Sequence, residues 1–158
     1  MEIASLQEIK SELKACSPEQ LVNLCLRMAK FKKENKELLG YLLFSAEKET
    51  EFIKNAKLQM DTEFTSLNSS QMYLAKKTLR KALRSVNKFI RFSNSVNVEA
   101  ALLLHFCFKL KSSGLSMIEN SVVGNIYAQN YKKMNAAINK MHEDLQYDFR
   151  DTITKLNL

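Results

Sequence analysis

One proline and three glycines are spread over 158 residues. So few turn residues argue against a sheet protein, whose strands are bounded by Gly- and Pro-marked turns. The three glycines, Gly40, Gly114 and Gly124, are isolated, which excludes a glycine-rich loop of the kind that cradles phosphates. Long apolar runs are also missing. The nearest approach, residues 98–108, is interrupted by Glu99 and His105 and falls far short of the ~20 residues that a membrane span needs. The opening residues, M-E-I-A-S-L-Q-E-I-K, lack the basic and apolar regions of a signal peptide, and none is expected. Cys16, Cys25 and Cys107 are odd in number and follow no pattern. They read as free, buried thiols of a cytoplasmic protein, without a structural disulfide.

What the chain has is leucine, lysine, glutamate and alanine, the composition of helices, in a length that suits one domain over residues 1–158. The expected fold is all-α: six or seven helices in consecutive antiparallel hairpins, as a helical bundle or a short α-solenoid-like array.

The net charge of +7 is localised. Residues 1–64 carry ten Lys/Arg and eleven Asp/Glu, residues 99–158 carry seven and six, and residues 65–98 carry seven and none. Those seven cations lie within Q-M-Y-L-A-K-K-T-L-R-K-A-L-R-S-V-N-K-F-I-R-F, residues 71–92. On an ideal helix Lys76, Lys77, Arg80, Lys81, Arg84, Lys88 and Arg91 share an arc of roughly 140°. Met72, Ala75, Leu79, Ala82, Leu83, Val86, Phe89 and Ile90 fill the other side. This is a basic amphipathic helix with one buried face and one cationic face.

The remaining elements follow from periodicity and caps. A short helix over residues 5–15 carries Leu6, Ile9 and Leu13 on one side. Ser17-Pro18-Glu19-Gln20 restarts the chain with an N-cap, a proline at the first helical position and a capping box. The second helix runs to Phe31 and is expected to bury Leu21, Leu24, Cys25 and Met28, with K-K-E-N-K (residues 32–36) as the turn. From Glu37 an apolar stripe runs through Leu38, Leu39, Leu42 and Leu43, thins at 47–51, and resumes at Phe52, Ile53, Ala56, Met60, Phe64 and Leu67. That is one long helix or two pieces joined near Lys48. Ser69 or Ser70 is expected to cap the basic helix, and Ser93-Asn94-Ser95 to end it. Residues 98–110 are apolar nearly all round, as in a central buried helix. Ser112-Ser113-Gly114 stops that helix. A last helical region runs from Ile118 to Ile153, with a drifting stripe that requires a kink or break near Asn130 or His142.

No catalytic or metal set stands out, and no cofactor is expected. His142, Glu143, Asp144, Asp148 and Asp151 gather near the C-terminus, but the matching second histidine is missing, and they read as a solvated acidic face. His105 and Cys107 sit two residues apart and point to different sides of a helix. His105 reads as a core or rim histidine bonded to a backbone carbonyl, and Cys107 as a small buried hydrophobe.

The acidic residues of the preceding helix are the candidates to neutralise the basic helix. If the two pair antiparallel about Asn68, residue i lies level with residue 137 − i. Glu47, Glu49 and Glu51 then meet Lys88 and Arg91, and Asp61 and Glu63 meet Lys76 and Lys77. Arg80, Lys81 and Arg84 meet only Lys54 and Lys57. Five cations are left at a level without a carboxylate, and Tyr73 shares their arc, where it can stack on a base or guanidinium.

The stretches S-P-E-Q-L…R-M-A-K-F-K-K-E-N-K-E-L-L and H-E-D-L-Q-Y-D-F resemble a group of short, all-helical, uncharacterised bacterial proteins. The resemblance implies a bacterial cytosolic protein and carries no functional residue over. The residues themselves point to a non-enzymatic interaction module, monomeric or homodimeric, that binds an acidic protein partner. Its surface would be Lys54, Lys57, Tyr73, Lys76, Lys77, Arg80, Lys81, Arg84, Lys88 and Arg91. The alternative occupant of the same face is nucleic acid, held through its phosphates without base reading.

Overall fold

The computed structural model describes residues 3–119 and 121–158, and among these it is all-α, without a strand. The chain divides into two compact units, Met1–Phe44 and Ser45–Leu158.

The first unit holds α1 (Leu6–Ala15), α2 (Pro18–Phe31) and α3 (Lys33–Phe44). Ser5 and Ser17 each accept from the backbone three residues on, while Glu8 and Gln20 reach back to close the boxes. The charged run after Phe31 is not a turn. Lys32 alone leaves the helical conformation, and α3 starts at the next residue. Lysine and glutamate are good helix formers, and the Asn35 side chain donates to the freed Met28 carbonyl at 3.0 Å. The expected burial of α2 also fails: Leu24, Cys25 and Met28 are exposed and Leu21 is half-buried. Three short helices provide no second layer to cover an apolar stripe, and Tyr41 is the one buried residue among those described in this unit.

The second unit holds α4 (Glu49–Thr65), α5 (Met72–Ser93), α6 (Val96–Ser112), α7 (Val122–Ile138) and α8 (Glu143–Lys155). Eight helices, not six or seven, are therefore present among the described residues, because both doubtful stretches are true breaks. The first lies at 45–48, where Lys48 precedes α4 and Glu49 and Glu51 open it, a placement that suits the positive end of a helix dipole. The second lies at 139–142, where His142 caps α8. There the Gln146 side chain donates to the Met141 carbonyl at 2.8 Å and Arg150 to Asn139 Oδ1 at 3.2 Å. Asn130 lies inside α7, buried, with its amide donating to the Ile126 carbonyl.

Neither serine caps α5. Asn68 Oδ1 accepts from both the Ser70 N–H and its hydroxyl, which ties that serine into the turn and leaves Gln71 as the N-cap. Asn94, at φ 48°, ends α5 and donates to the Ile90 carbonyl, the left-handed stop that asparagine tolerates. Ser95 then caps α6.

Helix α6 is the axis of this unit. Val98, residues 100–104, Phe106, Cys107 and Leu110 are all buried, because α4, α5 and α7 each pack on it. Met60 and Phe64 come from α4, Leu79, Ala82 and Val86 from α5, Met134 and Ile138 from α7, and Ile153 from α8. Phe64 meets Phe106 edge-on at 5.8 Å. Each fully buried Leu or Phe is worth about 1.5–3 kcal/mol of transfer free energy. Leu83, Phe89 and Ile90 are half-buried against this core, and Met72, at the start of α5, is exposed.

Candidate functional site

Helix α5 turns the apolar residues Ala75, Leu79, Ala82 and Val86 inward, and its cations therefore go outward. Lys77, Arg80, Lys81, Arg84 and Arg91 are exposed, and Lys76 is half-buried. Tyr73, 80% exposed, lies in line with Lys77, Arg80, Arg84 and Arg91 at helical spacing. The line is about 27 Å long at 1.5 Å per residue. Lys88 departs from it: the ammonium lies over the rings of Phe89 and Phe92, at 5.4 and 5.9 Å from their centroids.

Helix α4 does not meet α5 in the expected register. Glu63 Oε1 accepts from the Ser85 hydroxyl at 2.8 Å, and Phe52 meets Phe89 edge-on at 5.8 Å. These two contacts are eleven residues apart on α4 and four apart on α5, so the helices cross obliquely instead of lying level. Lys76 and Lys77 lose their assigned partners, Asp61 and Glu63, in consequence.

Asp61 is turned to α6 instead. Its Oδ1 lies 2.8 Å from His105 Nε2 and 3.2 Å from Lys109 Nζ. Burial pushes the carboxyl's pKa up, but the hydrogen bonds and charges of His105 and Lys109 outweigh it and hold Asp61 below the ordinary carboxylate value. Burial pulls the His105 pKa down, Asp61 opposes this, and the charges of Lys57 and Lys109 add to the lowering. An ionised carboxylate only accepts, so neutral His105 donates through Nε2–H. His105 is therefore a rim histidine bonded to a carboxylate, not to a backbone carbonyl. Glu49, another carboxylate assigned to α5, accepts from the Asn97 amide at 2.5 Å.

Among the described residues, Lys76, Lys77, Arg80, Lys81 and Arg84 make no ion pair and no side-chain hydrogen bond. The two lysines of α4 differ from each other. Lys54 is exposed, whereas Lys57 is half-buried, and burial lowers its pKa against the pull of Asp61. Lys57 thus belongs with the Asp61 cluster, while Lys54 is an exposed cation of α4.

No family model, curated protein or solved structure matches the chain. The site is thus defined by its geometry.

Elsewhere, among the described residues, no three His, Cys, Asp or Glu side chains converge as metal ligands do. Asp144 and Asp148 are exposed, and Asp151 pairs with Lys155 at 2.5 Å. Cys107 is buried, its thiol pushed up to about 12 by desolvation, but Cys25 is exposed and Cys16 half-buried, so the expectation of three buried thiols holds for one. No helix among the described residues is long and apolar enough to cross a membrane.

The Asp61–His105–Lys109 cluster was missed from the sequence, although its signal was present. Lys57 and Asp61, like His105 and Lys109, are spaced i, i+4, which places each pair on one helix face. What the sequence did not reveal was that the two faces meet.

Proposed function

We propose that the protein is a non-enzymatic helical interaction module of the cytosol that docks an acidic protein partner on the outer face of α5. The observation that supports this reading is the uncompensated state of Lys77, Arg80, Lys81 and Arg84. All four are exposed without a carboxylate, while Glu49 of α4 is bonded to Asn97, Asp61 to His105 and Lys109, and Glu63 to the Ser85 hydroxyl. Such a row raises the local potential and steers an anionic surface toward it.

The test is a titration of the protein with a labelled polyglutamate peptide, comparing the parent with Arg80→Glu/Lys81→Glu/Arg84→Glu. Tight, salt-sensitive binding that the triple change abolishes is the expected result. Equal binding by the two proteins would overturn it.

A second reading, nucleic acid on the same face, is favoured by Tyr73, which stands exposed in line with the cations where a base could stack. For a duplex, three to five phosphate contacts would give a slope of log affinity against log salt of about −3 to −4.5. Oligonucleotide binding lost on Tyr73→Ala would favour this reading over the acidic partner.

A further inference from the structure

The first unit contains both a groove without an occupant and a helix without a cover. The groove, about 680 Å³, runs between α2 and α3. Leu26 and Ala29 line one side, Leu39, Gly40, Leu43 and Phe44 the other, and Lys30, Lys33 and Lys36 add three ammonium groups. Leu43 and Phe44 are 65% and 76% exposed. Gly40 lies in the middle of α3, where glycine weakens a helix. A Cβ added there would meet nothing within 4 Å, so the notch is open to an approaching element.

The uncovered helix is α1. Leu6, Ile9 and Leu13 form its apolar stripe, and all three are exposed. Glu12 borders the stripe on one side, while Glu8 is turned back into the capping box. The junction to α2 is only Cys16 and Ser17, and both are held: the Cys16 N–H and thiol bond to the Leu13 and Glu12 carbonyls, and Ser17 sits in its capping box. The helix is fixed outside its own chain's groove.

We propose that this groove receives α1 of a second copy, each copy accepting the other's helix. The fit is one of shape, length and charge. A ten-residue helix is about 15 Å long and the twelve-residue α3 about 18 Å. The apolar stripe would sit over Ala29 and Gly40, with Glu12 toward the lysines. Lys30 and Lys36 make no ion pair among the described residues, and Lys33 has only a 3.9 Å contact with Glu37. Reciprocal exchange closes as a two-fold dimer and leaves no groove open.

Sedimentation of the full chain over a range of concentrations tests this. The parent is expected to dimerise. One variant, Gly40→Leu, fills the notch from a position where an added Cβ meets nothing within 4 Å, and its helix content is checked against the parent's. Another, Leu6→Asp/Ile9→Asp/Leu13→Asp, spoils the incoming helix at positions that are exposed in one copy. Each should weaken the dimer at least about tenfold, as loss of an apolar anchor does. Mixed together, they should associate more tightly than either alone, because the intact α1 of the first still finds the intact groove of the second. A parent that stays monomeric at every concentration would overturn the proposal. So would a dimer in which the mixture shows no such recovery, since the two grooves would then be meeting face to face. Charge reversal at Lys30 and Lys36 provides a check free of apolar change: a dimer as tight as the parent's would count equally against the exchange.

Discussion

At the scale of single residues the Asp61–His105 pair should make the fold sensitive to acid. His105 is held below its ordinary 6.5 mainly by burial, so the folded state resists a proton that the unfolded chain accepts. Its contribution to stability is then full above about 6.5 and is lost as pH falls through the lower folded value. Asp61, also lowered, contributes in the same sense at still lower pH. A proton NMR titration should therefore place His105 below 6.5. Asp61→Asn should move it further down, because the carboxylate is what supports the imidazolium; an upward move would contradict this account. Among the thiols, Cys25 should react with a disulfide reagent at once. Cys107, with its pKa at about 12, should react only on unfolding.

At the scale of elements, exposure sorts the outcome of mutation. Leu79 is fully buried, whereas Leu83 is only half-buried. Leu79→Ala should cost about 2–5 kcal/mol in denaturant unfolding, as core leucine truncations do, and Leu83→Ala distinctly less. Gly124 lies near the start of α7, where an added Cβ would come 2.3 Å from the Ile118 carbonyl oxygen. Gly124→Ala should therefore destabilise, against the usual gain of about 1 kcal/mol from alanine inside a helix. The helices themselves were legible: proline and serine at α2, the all-round apolar character of α6 and the asparagine stop of α5 each have a local cause. The pairing of α4 with α5 was not. Register counted outward from a loop assumes helices that run level, and the Glu63–Ser85 and Phe52–Phe89 contacts do not keep that register. Burial of α2 was misjudged for a related reason, since an apolar stripe records a need for cover and not its source.

For the whole molecule, every member of the core cluster, with the residues packed on it, lies between Phe52 and Leu158. A chain begun at Ser45 should accordingly unfold as one cooperative transition, with a melting temperature within a few degrees of the full protein's; a broad or absent transition would show that the first unit supports the second. The cationic row of α5 was visible in composition alone, because no carboxylate occurs between Glu63 and Glu99. Whether those carboxylates would neutralise it depended on a tertiary partner, α6, which takes Asp61 for itself. The all-round apolar surface of α6 has a further consequence during synthesis. Leu110, near the end of that helix, precedes Ile138, the last residue of α7, by 28 residues. At about 5–20 residues per second, a ribosome needs roughly 1.5–6 seconds to make that stretch. Through those seconds the nascent chain carries a greasy rod whose final wall has not yet been translated, the kind of transiently exposed apolar surface on which aggregation starts.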